Sequence, residues 1–251
     1  MRSIDLLYTL SLKEFKVRYK GAFFGYFWAL GTPLLLALIF TFAFKHIMRI
    51  QTPDYTLFLI IGLFAWQFFS NSTNGSLVSY VQNEQLIKKL CFPRFLLPMS
   101  TVLIEGIHFF LGIPVIILFL FIYSKSLFHI AWLYQIPLLW IMQALTCYGI
   151  ALIISAVNVF FRDMERIISL SLTLAMYLTP VAYPISMVPQ KYLLIYDINP
   201  MACLITNWRS VFLTGQLDLA NLIYLPGEII ILLLFGSWVY KKLSPYFAET
   251  L

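Results

Sequence analysis

The stretch WLYQIPLLWIMQALTCYGIALIISAVNVFF, residues 132–161, has no charged side chain in thirty residues. A helix needs about 20 apolar residues to cross the hydrocarbon core of a bilayer. The stretch is therefore long enough to span a membrane. Four charges follow at once in RDMER, on Arg162, Asp163, Glu165 and Arg166. We interpret this change as the end of a span and the start of a short loop in water.

Charge-free stretches recur along the chain, in which 11% of residues are charged and 61% are hydrophobic. A soluble domain has about 25% charged and about 45–50% apolar residues. The composition therefore predicts an all-α integral membrane protein. Its six candidate transmembrane helices cover residues 22–44, 55–76, 95–124, 132–161, 167–185 and 219–240.

Lysine and arginine are distributed unevenly between the two sides of this predicted bundle. The N-terminal segment, the second and fourth loops and the C-terminal tail hold 12 of them, and the remaining loops hold 5. Because cytoplasmic loops are enriched in these residues, both termini and the RDMER loop are predicted to face the cytoplasm. The net charge of +6 is then an orientation signal, and no basic patch is arranged for nucleic acid.

The N-terminal segment is predicted to be a helix that lies on the inner membrane surface. Apolar and polar residues form opposite stripes at helical spacing over residues 2–20. The apolar stripe consists of Ile4, Tyr8, Leu12, Phe15 and Tyr19. We therefore expect one transmembrane domain over residues 1–251, with a cytoplasmic interface helix at 1–21, the bundle at 22–240 and a cytoplasmic tail at 241–251.

Residues 184–216, between the fifth and sixth spans, do not form a plain span. Pro184, Pro189 and Pro200 divide them into apolar pieces too short to cross a bilayer. We predict short re-entrant or interfacial helices on the outer side. They form either a gate or a folded external loop without a gating role.

The residues of enzymatic chemistry are almost absent from the sequence. Three histidines and three cysteines lie in separate segments, without the spacing of metal ligands or of a redox pair. No G-x-x-x-x-G-K-[ST] phosphate loop occurs. We therefore predict a chain that is not an enzyme and has no cofactor or metal of its own. If ATP drives its function, a partner subunit binds the ATP and Mg.

Two alternatives start from acidic residues. Glu105 and His108 lie at i and i+3 in the third span, where they form either a proton relay or a structural hydrogen bond. A proton-coupled transporter would use the relay. An integral-membrane glycosyltransferase would need a cytoplasmic cluster of acids for a metal-bound sugar nucleotide, and Asp163 and Glu165 are the two that lie close together.

Aromatic residues crowd the start of the first span and the end of the fifth. Such residues commonly form a belt at the membrane interface. Their flat apolar faces also suit a carbohydrate chain that slides without a fixed register. Composition leaves both interpretations open.

Several segments together resemble a known family. They are RYKGAFFGYFWALGTPLLL at residues 18–36, LIKKLCFPRFLLP at 86–98, NVFFRDMERI at 158–167, and YLTPVAYPISMVPQ with INPMACLITNWRSVFLTGQ at 177–216. In this order they are similar to the membrane-spanning permease subunits of ATP-binding-cassette exporters for O-antigen, teichoic acid and capsular polysaccharides. One departure is Phe161, where many relatives carry Tyr.

The resemblance implies a function and an assembly. Family members are homodimers of a six-span subunit, joined in the inner membrane to two copies of a separate ATPase. They move a lipid-linked polysaccharide from the cytoplasm to the outer face and do no chemistry on it. The charges of the RDMER loop would dock on that ATPase.

The resemblance also implies three groups of site residues. The substrate channel is expected to be lined by Phe23, Tyr26, Phe27, Trp28, Tyr177 and Tyr183. Coupling to the ATPase is expected from Glu84, Lys88, Lys89, Arg94, Arg162, Asp163, Glu165 and Arg166. The outer gate is expected to include Pro180, Pro184, Pro189, Asn199, Pro200 and Arg209.

Overall fold

The computed structural model describes residues 3–19, 27–47, 54–123 and 129–251, and every regular element in these ranges is helical. The α-helices are α1 (Ser3–Tyr19), α2 (Phe27–Phe40), α3 (Tyr55–Leu77), α4 (Ser79–Gln82), α5 (Glu84–Lys89), α6 (Leu96–Tyr123), α7 (Trp132–Asn158), α8 (Met164–Leu178), α9 (Leu193–Asp197), α10 (Pro200–Thr214), α11 (Leu219–Leu222), α12 (Leu225–Leu243) and α13 (Phe247–Thr250). A π-helix, Thr41–Ile47, continues α2, and 3₁₀ turns occur at Ile185–Met187, Gln190–Tyr192 and Ser244–Tyr246.

Four of the described helical segments are long and apolar enough to cross a membrane. They are α3, α6, α7 and the nearly continuous run Leu219–Thr250. Helices α3, α6 and α7 match predicted spans to within three residues, and the run Leu219–Thr250 begins with the predicted sixth span and continues about ten residues beyond it. A fifth, shorter apolar helix at Leu30–Lys45 overlaps the predicted first span and ends one residue after it.

Helix α8 is shorter than the sequence predicted. It has 15 residues, which gives a length of about 22 Å, against about 30 Å for the hydrocarbon core of a bilayer. The predicted fifth span reached residue 185, but the helix ends at Leu178. The physical reason is Pro180, since the residue before a proline avoids the helical region, and Thr179 is extended.

Helix α3 forms the centre of the molecule. Its residues from Tyr55 to Trp66 are apolar on every side, and nearly all of their side chains are buried. A helix that is apolar all round has no favourable solvent face and is covered by its neighbours. Helices α6, α7 and α10 provide that cover, and α2 and α8 pack against α3 as well.

Helix α12 packs along α7 at close range. A Cβ atom on Gly236 would lie 2.6 Å from the carbonyl oxygen of Gly149. Small residues allow the backbones of membrane helices to approach in this way. Much of the rest of α12 is exposed, including Ile231, Leu234 and Trp238.

The molecule has two ends, which we call the tail end and the cap end. The tail end carries α1, α5, the RDMER loop and α13. Here Leu10, Tyr80, Ile87 and Phe247 meet in a separate small core. The cap end carries residues 179–224 and the start of α3.

Helix α1 lies along the first half of α6, where Glu14 accepts hydrogen bonds from Ser100 and Thr101, both at 3.1 Å. Most of the predicted apolar stripe points away from the protein, since Ile4, Tyr8 and Leu12 are exposed. Phe15 differs, because its ring stacks on His108 of α6 with centroids 6.2 Å apart. Helix α1 lies within residues 1–21, the range predicted for the interface helix.

Helix α10 lies in the region where the sequence predicted short re-entrant or interfacial helices, and it is buried in the protein. Trp208 and Phe212 are fully buried, and the Trp208 indole donates to Gln143 Oε1 at 2.7 Å. The ends of the helix follow from its sequence. Asn199 caps the first turn by accepting from the Met201 amide at 3.0 Å, and Gly215 ends the helix with a φ of 70°, a conformation that glycine adopts readily.

Candidate functional site

The candidate site is the open face of α8 together with the segments at its two ends. Leu172 is the only buried residue of α8, and Ile168 and Ala175 pack beside it. The remaining sides of the helix have little cover from the described part of the chain. A helix with so few contacts has its sides available to other molecules.

Two different stripes run along the open side of α8. One is polar, with Glu165, Ser169, Thr173 and Tyr177 at four-residue spacing, all exposed. The other is apolar and consists of Ile167, Leu170, Leu174 and Leu178. The helix therefore presents different chemistry to each side.

Sequence reasoning missed Ser169 and Thr173. A search for spans counts charged residues and ignores hydroxyl groups, so these two positions passed as part of an apolar run. The signal that finds them is the four-residue spacing that joins Glu165 to Tyr177. The Thr173 hydroxyl donates to the Ser169 carbonyl at 3.1 Å, which satisfies its own donor.

The RDMER loop is open to solvent. Arg162, Asp163, Glu165 and Arg166 are all exposed, and none forms an ion pair within the described residues. Asp163 and Glu165 lie at the start of α8, where the helix dipole favours negative charge. The loop is thus a compact set of charges that the described chain leaves without ionic partners.

The other predicted coupling residues lie in and just after α5, and they differ in exposure and in hydrogen bonding. Lys88 pairs with Glu84 at 2.7 Å on the exposed side of α5, and Lys89 is also exposed. Arg94 is different, because its Nη1 donates to the Ser244 carbonyl at 2.5 Å. Arg94 therefore ties the loop to the C-terminal tail.

A buried arginine holds the other end of α8. Arg209 has 6% of its surface exposed and donates three hydrogen bonds to carbonyl oxygens: Nε to Phe58 at 3.1 Å, Nη1 to Pro180 at 2.5 Å and Nη2 to Val181 at 2.5 Å. Its guanidinium also lies 3.5 Å from the centroid of the Phe58 ring, within cation–π range. We call this arrangement the Arg209 clasp.

Two further contacts complete the clasp. The Tyr55 hydroxyl donates to the Ala182 carbonyl at 2.6 Å, and Asn199 Nδ2 donates to the Thr179 hydroxyl at 3.1 Å. The irregular chain after α8 is therefore bound to α3 and to the start of α10. Since buried backbone groups without partners are costly, these contacts explain how the chain tolerates an irregular segment in its interior.

The predicted gate residues are only partly together. Pro180, Asn199 and Arg209 meet at the clasp. Pro200 lies beside them at the first position of α10. Pro184 and Pro189 precede the two 3₁₀ turns further along the cap.

The predicted channel residues include two prominent aromatic side chains. Trp28 is 57% exposed and Tyr177 is 65% exposed. Phe23 and Tyr26 lie outside the described residues, and of Phe27 only the helical backbone is described. Tyr183 donates its hydroxyl to the Tyr177 carbonyl at 2.9 Å.

Glu105 and His108 lie inside a buried hydrogen-bonded chain. Their Oε2 and Nδ1 atoms are 3.3 Å apart, and Glu105 is 1% exposed. The same carboxylate oxygen accepts from Asn71 Nδ2 at 3.2 Å, and Asn71 accepts from Gln67 at 2.7 Å. These hydrogen bonds join α3 to α6, and this gives Glu105 a structural role.

Within the ranges that the structure describes, no three histidine, cysteine or acidic side chains come together as metal ligands. The chemistry of the candidate site is thus that of hydrogen bonds, aromatic faces and exposed charges.

Comparison with known proteins gives a consistent result. The ABC-2 type transporter family matches residues 5–213. The O-antigen export system permease protein RfbA of Klebsiella pneumoniae is 45% identical over 249 residues, which are 98% of this chain and 95% of that protein. A protein of the same name from Myxococcus xanthus is 30% identical over 98% of this chain and 95% of its own length.

A more distant relative is the polysialic acid transport protein KpsM of Escherichia coli, 23% identical over 93% of this chain and 91% of that protein. These matches favour neither a proton-coupled transporter nor a glycosyltransferase.

Proposed function

The chain belongs to the ABC-2 type transporter family, and we propose that it is the permease subunit of an ATP-driven exporter that moves a lipid-linked, O-antigen-like polysaccharide from the cytoplasm to the outer face of the inner membrane. The chain is a transport component rather than an enzyme, and ATP and Mg bind to a separate ATPase subunit. The observation that carries the proposal is similarity over nearly the whole chain to permeases named for O-antigen export.

We assign six spans to this single membrane domain. Four are α3, α6, α7 and the run that contains α12. The fifth is α2 with its π-helical continuation, and the sixth is α8 with the clasped segment after it. The distribution of lysine and arginine supports an orientation with the tail end and both termini in the cytoplasm and the cap end outside.

The stripes of α8 support an assembly around a polar channel. Glu165, Ser169 and Thr173 would face lipid in an isolated chain, and polar groups are unfavourable there. We place the polar stripe toward a channel between two copies of this chain. The two permease copies join two copies of the ATPase.

Coupling runs through α8 in this proposal. The RDMER loop docks on the ATPase, whose closure on ATP displaces the loop. A helix of 15 residues moves as a unit, so the displacement reaches the segment after Leu178. The Arg209 clasp then transmits it to α10 and the outer cap, which acts as the gate.

The aromatic residues guide the polysaccharide. Trp28 and Tyr177 offer exposed faces on which sugar rings stack. Each contact must be weak, because a channel that binds its substrate tightly does not let it advance.

The test is deletion of the gene for this chain in its host, followed by measurement of surface polysaccharide and of the intracellular lipid-linked pool. We expect surface polymer to disappear and the intracellular pool to grow, with recovery when the gene is restored. Unchanged surface polymer in the deletion strain would contradict the proposal.

A further inference from the structure

A small cleft opens in the cap, between the 3₁₀ turn Ile185–Met187, α9, α10 and α11. Its volume is about 140 Å³, and its lining includes Tyr196, Asp197, Thr206, Asn221 and Tyr224. Pockets for drug-sized ligands measure about 300–1,000 Å³. The cleft therefore suits one small ring of a larger molecule.

Three polar groups of the cleft have no hydrogen-bond partner within the described residues. They are the carboxylate of Asp197 and the hydroxyls of Thr206 and Tyr224. The neighbouring Asn221 is occupied in part: its Nδ2 donates to Asp218 Oδ2 at 2.5 Å, and its backbone carbonyl, not its side-chain oxygen, accepts from the Cys203 thiol at 3.1 Å. The cleft thus presents two acceptor groups, the Asp197 carboxylate and the Asn221 amide oxygen, and two hydroxyls that act either as donors or as acceptors.

Tyrosines connect this cleft to the open face of α8. Tyr183 donates to the Tyr177 carbonyl, so its single proton is used. Its contact with the Tyr196 hydroxyl, at 2.7 Å, therefore has Tyr196 as the donor. Tyr196 lines the cleft, and Tyr177 ends the polar stripe of α8. Two hydrogen bonds therefore link the wall of the cleft to the end of the polar stripe.

The charge of the cleft limits what binds there. Asp197 is exposed at its edge, and Asp218 lies directly behind Asn221. No lysine or arginine lines the cleft among the described residues. The hydroxyls of an uncharged sugar can donate hydrogen bonds to Asp197. A uronic or sialic acid would instead bring its carboxylate toward those of Asp197 and Asp218, which repel it.

We propose that this cleft is an exit subsite that holds one uncharged sugar ring of the exported glycan, with Asp197, Thr206 and Tyr224 as its hydrogen-bonding residues and Tyr196 as its aromatic wall. The inference rests on the proposed export function. It names a place and a substrate class that this function alone leaves open. The site binds the glycan as it passes and makes no covalent change.

The test follows pulse-labelled polysaccharide to the surface of cells that carry variants of the chain. Asp197→Asn removes the charge and keeps the shape, and the double variant Thr206→Val with Tyr224→Phe removes two hydroxyls. Tyr192→Phe removes a hydroxyl from an exposed tyrosine outside the cleft and serves as the matched control. The amount of complex and its ATPase rate are measured for every strain, and export is expressed per complex.

We expect the export half-time to lengthen roughly three- to tenfold in both cleft variants, as for the loss of one or two hydrogen bonds, and to stay unchanged in Tyr192→Phe. We also expect saccharide analysis to find neutral sugars in the surface polymer whose export depends on this chain. If deletion of the chain removes the polymer but both cleft variants export at the wild-type rate, the subsite is wrong and the export function stands. A dependent polymer made of uronic or sialic acids overturns the substrate class. A polymer that survives deletion contradicts the export function itself.

Discussion

The two ends of α8 differ in what holds them. At the cap end, Arg209 and Tyr55 bind four carbonyl oxygens of their neighbours, and little of the arginine is exposed. At the tail end, the four charges of the RDMER loop are exposed and form no ion pair within the described residues. One end is therefore held by the chain itself, and the other is available to a partner.

This difference has a mechanical meaning. Between its ends, α8 has a single buried residue, so its sides offer little resistance to displacement. A displacement of the loop is then passed along the helix to the one place where α8 is firmly attached.

The largest effect is expected from loss of the clasp. Arg209→Gln leaves buried carbonyls of Phe58, Pro180 and Val181 without their donors, which costs about 3 kcal/mol or more. We expect a lower unfolding temperature of the purified complex and loss of export. Arg209→Lys keeps the charge but cannot reach three carbonyls at once. Its unfolding temperature should therefore lie between those of the wild type and Arg209→Gln. Wild-type stability of Arg209→Gln would show that the clasp does not hold α8.

A second change disturbs the clasp by crowding. A Cβ atom on Gly62 would collide with the Arg209 guanidinium and lie 3.1 Å from the Val181 carbonyl oxygen. We expect Gly62→Ala to cost about 1–3 kcal/mol, measured by thermal unfolding. Gly227→Ala is the control, since nothing lies within 4 Å of a Cβ there. Equal behaviour of the two variants would contradict the tight packing around Arg209.

Two exposed aromatic residues, Tyr177 near the end of α8 and Trp28 at the start of α2, should affect transport and not assembly. Tyr177→Ala and Trp28→Ala each remove one exposed aromatic face. We expect export to fall about threefold or more, because stacking of one ring is worth about 1 kcal/mol. The yield and size of the complex should stay the same. Unchanged export by both variants would remove the role of these aromatics in guiding the glycan.

The smallest effect is expected at the tail end, in the pair that lies outside the RDMER loop. Lys88→Ala breaks the exposed contact with Glu84, a type of pair that contributes about 0.3–0.5 kcal/mol. The unfolding temperature should barely change. A large loss of stability would mean that α5 is held more firmly than its exposure indicates.

Much of the helical architecture could be predicted from the sequence. A segment that crosses lipid must pair its backbone groups within a helix, so a charge-free run of about 20 residues identifies a membrane helix. This signal can be read from neighbouring residues alone. Helices α3, α6 and α7 match their predicted ranges to within a few residues. The predicted end of the fifth span, at residue 185, was wrong, although Pro180 in the sequence indicates an earlier helix end.

The clasp could not be predicted in the same way. Arg209 binds carbonyls that lie 28, 29 and 151 residues away along the chain, and no local pattern specifies such contacts. The family resemblance placed Pro180 and Arg209 in one gate without saying that Arg209 binds the Pro180 carbonyl. The depth of α10 likewise depends on its fit against α3 and α7.

The most direct test of the account is the mass of the intact complex, purified in mild detergent from native membranes, for the wild-type chain and for the double variant Asp163→Lys with Glu165→Lys. The account predicts two copies of this chain with two copies of an ATPase for the wild type. For the variant it predicts that the permease is recovered without the ATPase, because both acidic charges of the docking loop are reversed. A wild-type chain that carries no ATPase, or a variant that retains it fully, would contradict the account.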